Sequence, residues 1–339
     1  MELYGAIDLH SNNSMVILLD KQDRAVLERR LPNQLPVILD QLEPYRNRIQ
    51  AIAVESTYNW YWLVDGLMDA GYEVRLVNTA KVKIYDGLKY SDDEQDARHL
   101  AHLLRLGILP TGYIYPKAER SMRDLLRKRS QLVRCRTAQI LSIQNLICRN
   151  TGQKISQENL RRLDEKALQQ LCGGDPSRVL AIQSNRTVLR CLDEQVDLLE
   201  KTILTQARMR PDFEKLLTID GVGKVLGMTI MYEVGSIDRF KKVGHFASYA
   251  RCVGSKRISN GKKKGSGNVR NGNKYLSWAF VEAAAFSIRY NERIRGFFQR
   301  KKAQRNTALA MKAVAHKLAR ACYHVLKDQV PFDVDKAFA

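Results

Sequence analysis

Four carboxylates are placed as a divalent-metal site needs them. Asp8 ends the run Gly5-Ala6-Ile7-Asp8, and Glu55 ends Gln50-Ala51-Ile52-Ala53-Val54-Glu55. Asp93 and Asp96 stand three apart at the head of an amphipathic stretch, and residues three apart on a helix share a face. If the strand bearing Asp8 lies beside the strand bearing Glu55, and the helix of Asp93 and Asp96 crosses near their C-terminal ends, the four groups converge. Converging carboxylates repel unless hard cations lie between them. Two ions roughly 3.5–4 Å apart clamp the attacking and leaving oxygens of a phosphoryl transfer. An all-oxygen set suits Mg²⁺, with Mn²⁺ as its substitute. Taken singly, Asp93 and Asp96 also suit a helix N-terminus through its dipole, and Asp8 a turn cap.

A second chemistry is written in a basic stretch around Ser259. The Asn260-Gly261 pair that follows tolerates left-handed backbone, so a tight turn would present the serine hydroxyl. Lys256, Arg257, Lys262, Lys263 and Lys264 surround it with charge suited to a scissile phosphate. A serine nucleophile needs activation, which metal and basic side chains supply. A serine beside lysines fits a plain flexible loop equally well. The histidines (His10, His99, His102, His245, His316, His324) show no ligand spacing and are expected to be structural. The six cysteines are scattered without a C-x-x-C pair, which argues against structural zinc and a disulfide framework.

The elements that must carry these residues follow from hydrophobic period. Residues 3–9, 14–20 and 25–31 predict three strands, the last two joined by a turn at Lys21-Gln22-Asp23. Then come a helix over 36–45, a buried strand over 50–55, a helix over 58–70, a strand over 73–78 and a helix over 91–106. A three-strand meander followed by βαβα is the order of a ribonuclease-H-like (RuvC-like) α/β domain. Residues 117–150 predict one long helix with Leu125, Leu132, Ile140 and Ile147 on its apolar stripe and Arg123, Arg127 and Lys128 off it. Those three are candidate nucleic-acid contacts. A second long helix over 178–209 follows the break Gly173-Gly174-Asp175-Pro176. The two predict an antiparallel coiled-coil stalk or dimerisation arm, or else two helices packed into a core.

From Pro211 onward the chain reads as helix, Gly221-Val222-Gly223 turn, and helix starting at Lys224. This is the shape of a helix–hairpin–helix, whose amides hold a phosphate without reading bases; a structural turn has the same pattern. A basic loop over 256–274, with Arg270 and Lys274 at its far end, and helices over 275–289 and 307–326 complete the chain. The expected architecture is α/β plus α: a catalytic domain over 1–115, a long-helix region over 116–210 and a mainly helical domain over 211–339.

Charge supports this division. The 339 residues carry a net +20, yet residues 1–115 sum to −4 and residues 116–339 to +24. Residues 251–305 alone hold 15 basic and 2 acidic side chains. A surplus of that size suits a polyanionic partner. No run approaches the ~18 apolar residues of a membrane span and the N-terminus lacks a signal-peptide shape. The expected setting is the cytoplasm, with no membrane partner.

Taken together, these motifs carry a resemblance. Asp8, Glu55, Asp93-x-x-Asp96-Ala97, a helical spacer, Leu217-Thr218-Ile219-Asp220-Gly221-Val222-Gly223, Phe246-Ala247-Ser248-Tyr249, Ser259 and Val330-Pro331-Phe332-Asp333 resemble the DEDD transposases. These form the insertion-sequence "one-ten" family, with its "one-eleven-eleven" branch and the pilin-gene invertases. The resemblance implies a RuvC-like domain bearing the tetrad Asp8, Glu55, Asp93 and Asp96, a coiled-coil middle, and a C-terminal transposase domain with Ser259 as nucleophile. It also implies an element-encoded guide RNA pairing with donor and target DNA, and homodimers assembling into a tetramer in which tetrad and serine meet across protomers. The family often has Gly directly after the serine; here Asn260 intervenes, so Ser255 and Ser266 remain alternatives for the register. The function expected is Mg²⁺-dependent cleavage and exchange of DNA strands through a covalent serine–DNA intermediate. A junction-resolving nuclease, in which water attacks, and a non-catalytic nucleic-acid-binding protein are the alternatives.

Overall fold

The computed structural model describes residues 1–82, 93–207, 211–254, 257–265 and 271–339. Contacts divide the chain into two units, Met1–Lys117 and Ala118–Ala339. The first is built on β1 (Leu3–Leu9), β2 (Asn13–Leu19), β3 (Ala25–Pro32), α1 (Leu35–Leu42), a 3₁₀ turn (Glu43–Arg48), β4 (Ile49–Glu55), α2 (Tyr61–Asp69), β5 (Val74–Val77) and α3 (Asp93–Arg105). The five strands form one sheet in the order β3-β2-β1-β4-β5. β1, β2 and β3 are antiparallel neighbours, whereas β1–β4 and β4–β5 are parallel.

Strands covered on both faces need apolar residues at every position, and β1, β2 and β4 supply them. The alternation of side chains assigns each residue to a face. Leu3, Ile7, Leu9, Ile52 and Val54 pack with Ile38 and Leu42 of α1 and Leu63 and Leu67 of α2. Ala6, Ile17 and Ala53 face the other way, onto Ala97, Leu100 and Ala101 of α3. By the same alternation Asp8 follows Ala6, and Glu55 follows Ala53, onto the α3 face.

The second unit contains α4 (Lys117–Thr151), α5 (Gln157–Arg162), α6 (Glu165–Leu171), α7 (Pro176–Ala207), α8 (Pro211–Leu216), α9 (Lys224–Val234), α10 (Val243–Tyr249), a hairpin of β6 (Arg257–Ser259) and β7 (Lys262–Gly265), α11 (Lys274–Tyr290), α12 (Glu292–Gln304), α13 (Thr307–Lys327) and α14 (Val334–Phe338). α4 and α7 run antiparallel: Arg129 pairs with Glu200 at 2.6 Å and Arg136 with Asp193 at 3.2 Å, and Asn185 Nδ2 donates to Ser142 Oγ at 2.8 Å. Their far halves enclose a small core with Leu160 of α5 and Leu168 of α6. Their near ends, through Met122, Leu126 and Ile203, join the apolar core of α8 to α13.

α5, α6 and α12 were not expected. The first two are short and start at side-chain caps, Ser156 and Asp164, and α12 buries only Ile294 and Phe298, so none shows a long apolar stripe. The expected open loop after residue 256 is a β-hairpin over its described part, for a reason given below. Among the described residues no helix is long and apolar enough to cross a membrane.

Candidate active site

β1 and β4 run parallel with Ile7 opposite Val54, so the next residues, Asp8 and Glu55, end side by side at the C-terminal edge of the sheet. The methyl side chains of Ala6, Ala53, Ala97 and Ala101 leave room for α3 to lie close over them, with Asp96 in its first turn. Asp8 is only 3% exposed. Burial pushes the Glu55 carboxyl up to about 8, helped by its hydrogen bond with Asp8 and by the negative charges of Asp8 and Asp96. The sheet edge therefore gathers more negative charge than it neutralises, and one carboxyl keeps its proton to relieve the repulsion.

Asp93 joins from its other side. His10 Nε2 lies 3.2 Å from Asp8 Oδ2 and 3.3 Å from Asp93 Oδ1, and Arg30 Nη2 is 2.9 Å from Asp93 Oδ2. One ligand atom each from Asp8, His10 and Asp93 fall within 4.8 Å of one another. The His10 carbonyl accepts hydrogen bonds from Asn33 Nδ2 and Asn59 Nδ2, both at 3.0 Å, which pin the chain as it leaves β1. This corrects the expectation that no histidine takes part in a ligand cluster. The missed signal was the period of two: residue 10 follows Asp8 on the same side of an extended chain. Carboxylate oxygens with one imidazole nitrogen, around a buried and electrostatically strained carboxyl, fit a divalent cation.

Ser259 lies in the second unit, as the last residue of β6, and pairs with Lys262 across Asn260 and Gly261. Asn260 has φ +49° and Gly261 φ +70°, the left-handed pair of a two-residue hairpin turn whose twist matches that of its strands. That match is why a lysine-rich segment forms strands. Ser259, Lys262 and Lys264 are exposed. Arg257 is in β6 and Lys263 in β7. Lys256, Arg270, Ser255 and Ser266 lie outside the described residues.

Two family models match the chain. A DEDD-type model of the IS110 group, described as "Transposase", covers residues 6–149, and one described as "Transposase IS116/IS110/IS902 family" covers residues 213–299. The first spans all four carboxylates and the second spans Ser259. The chain belongs to the IS110 family of transposases. It is 22% identical over 292 residues to a "Probable family 20 transposase" of Pseudomonas aeruginosa, covering 84% of this chain and 83% of that one. It is 23% identical over 235 residues to the "Transposase for insertion sequence element IS1111A" of Coxiella burnetii, covering 68% of this chain and 63% of that one. It is a DNA transposase, and its DEDD-type family points to dependence on a divalent metal.

The remaining expected contacts of the transposase divide into inner and outer groups. Arg123 is turned inward, its side chain 8% exposed, with Nε 3.0 Å from Oε2 of Glu233. Arg127 grips the same carboxylate at 2.6 and 2.9 Å and lies 4.7 Å over the ring of Tyr275. The assignment of Arg123 to a phosphate is thereby corrected: its charge is spent on a buried glutamate 110 residues away. Asn273 Nδ2 donates to Glu233 at 2.7 Å while its Oδ1 caps the start of α11. Gly221 has φ +83°, and a Cβ there would strike the Ala283 carbonyl oxygen at 2.1 Å, so this glycine serves the close approach of the turn to α11. Gly223 differs, with open space around it at the N-terminus of α9. Lys128, Lys224 and Lys274 are exposed.

Proposed function

We propose that this IS110-family transposase cuts and rejoins DNA by attack of Ser259 on a scissile phosphate, with Mg²⁺, or Mn²⁺ in its place, held by Asp8, Glu55, Asp93 and Asp96. The observation that carries this reading is the convergence of Asp8, Glu55 and Asp96 on one sheet edge, where burial, aided by Asp8 and Asp96, pushes Glu55 up to about 8. When bound, the metal polarises the phosphate and stabilises the charge that develops on its oxygens. His10 Nε2, between Asp8 and Asp93, is a further candidate ligand, Arg30 pairs with Asp93, and Asn33 and Asn59 hold the backbone of His10.

At Ser259 the O–H bond breaks and an Oγ–phosphorus bond forms as the sugar oxygen leaves carrying a proton. The serine ester keeps the energy of the broken linkage, so a hydroxyl of the other strand can displace it and restore the serine. Hydrolysis by water would not conserve that energy. Lys262 and Lys264 neutralise the phosphate in both steps. The mixed strand order around β1, antiparallel to β2 and parallel to β4, supports a RuvC-like assignment for the first domain. The surplus of +24 over residues 116–339 supports an element-encoded guide RNA beside donor and target DNA. The α4–α7 pair suits a coiled-coil arm over 116–210 joining protomers into dimers and a tetramer, with residues 211–339 as the serine-bearing domain. Placement in the IS1111 branch belongs to the same reading, as does action at the bacterial nucleoid.

Trapping of a DNA adduct on denaturing gels tests the proposal. Wild-type protein with Mg²⁺ should yield an adduct on the peptide that contains Ser259. Ser259→Ala should lose it for want of an attacker, and Asp8→Ala for want of activation, while both still bind DNA. Metal-dependent cutting without an adduct would identify a nuclease in which water attacks.

A further inference from the structure

α13 carries His316, Arg320 and His324 at four-residue spacing, so the three side chains line one face of the helix. That face is one wall of a cleft of about 590 Å³, a size typical of small-ligand sites. The facing wall is the segment from Asp328 to Lys336, with Val330, Pro331 and Phe332 as its apolar part. It is held in place: Phe332 N donates to Thr218 Oγ1 at 2.9 Å, and Lys215 Nζ donates to the Gln329 carbonyl. Thr218 opens the turn that leads to Gly221 and Gly223, so the cleft adjoins the helix–turn–helix.

The cleft carries a small cationic surplus, with Lys317, Arg320 and Lys336 against Asp328 and Asp333. Burial holds Lys317 below its usual range, and the charges of Arg320 and Lys301 push the same way. Burial, Arg320 and Lys317 do likewise to His316. Both carboxylates that line the cleft, Asp328 and Asp333, already have partners of their own. Asp328 pairs with His324 at 3.0 Å, and Asp333 accepts from the backbone N–H groups of Asp335 and Lys336 at 2.9 and 3.0 Å. Lys317 donates to the Ala337 carbonyl at 2.9 Å. Lys317 Nζ also lies 3.4 Å from Ala339 O; among the described residues no Asp or Glu side chain forms an ion pair with Lys317 or Arg320.

We propose that this cleft holds one unpaired nucleotide of the nucleic acid on which the transposase works, with its phosphate on Lys317 and Arg320 and its base against Pro331 and Phe332. Proteins that bind single strands combine a cationic track with flat apolar surfaces on which bases lie, and the two walls supply one of each. An acidic peptide would satisfy the charge but would leave the apolar wall uncovered. The inference rests on membership of the transposase family and is independent of the serine step.

The test uses full-length protein and labelled ten-nucleotide single strands of DNA and RNA of one sequence. Arg320→Gln should weaken binding several-fold and reduce the slope of log K against log salt by about 0.7, the value for one phosphate contact on a single strand. Strands carrying 4-thiothymidine or 4-thiouridine should photo-cross-link to the tryptic peptide over residues 328–336. Cross-linking by the DNA alone or by the RNA alone names the source of the nucleotide. An unchanged slope with no cross-link on that peptide overturns the proposal. Ser259→Ala is run in parallel and should retain the cross-link, so that failure of the serine step and failure of the cleft are read separately.

Discussion

Asp8 and Glu55 show how a backbone register becomes chemistry. Parallel pairing of β1 with β4 sets two carboxyl groups side by side, alternation turns both toward α3, and burial denies them the water that would screen their repulsion. A cation that enters relieves that repulsion only in the folded protein, so metal binding must appear as stability. Thermal melting with and without EDTA should show Mg²⁺ raising the midpoint, with about 2.7 kcal/mol gained once the free ion reaches a hundredfold excess over its Kd. Asp8→Asn and Glu55→Gln should each remove most of that gain while the protein stays folded. An equal metal-induced shift in both variants would place the ion elsewhere. Ser259 stands apart from this logic, because its exposure depends only on two left-handed residues next to it.

Between elements, the most consequential contact is the buried junction of α4, α9 and α11. Glu233 of α9 receives Arg123 and Arg127 from α4 and Asn273 from the start of α11. Burial raises the Glu233 carboxyl, but the Arg127 hydrogen bond, the charges of Arg123 and Arg127 and the Asn273 hydrogen bond outweigh it and leave it below its ordinary value. A carboxyl that is more acidic folded than unfolded contributes stability above the unfolded value, and that contribution fades as pH falls through the folded one. Urea unfolding across pH 7 to 3 should therefore show stability lost on the acid side. Glu233→Gln should flatten this part of the profile. It should also cost about 3–5 kcal/mol at neutral pH, because it removes one charged partner of a buried ion pair. A variant as stable as wild type would mean that the guanidinium groups find other partners.

Across the whole molecule the charge is partitioned: −4 over residues 1–115 and +24 over residues 116–339, a surplus that suits a polyanionic partner. Affinity for duplex DNA should then fall steeply with salt, since each phosphate contact releases counterions with a slope of about −0.9. Replacing Lys262, Lys263 and Lys264 together with glutamine should flatten the dependence by up to about 2.7, three contacts at that slope. Titrations at several salt concentrations measure it directly. A slope that does not move would remove the β6–β7 hairpin from the nucleic-acid surface and leave Lys128, Lys224 and Lys274 to carry it.

Much of this was legible in the residues. The runs that became β1, β2 and β4, the length of α4, α7, α11 and α13, and the placing of Asp8, Glu55, Asp93 and Asp96 at element ends all follow from local period and from breaking residues. The hairpin was signalled only by Asn260-Gly261, because strands of three and four residues, Arg257-Ile258-Ser259 and Lys262-Lys263-Lys264-Gly265, have no apolar alternation to reveal them. His10 was hidden for another reason: a histidine after a strand looks like any polar residue until α3 brings Asp93 within 3.3 Å of it. Arg123 looked like surface charge because its partner lies 110 residues away, on a helix with no periodic polar mark. Periodicity and turn chemistry act over a few neighbouring residues, and they determined the elements and the face each side chain takes. Which charges meet out of water depends on how distant elements pack, and that alone decided the company kept by His10, Glu55 and Arg123.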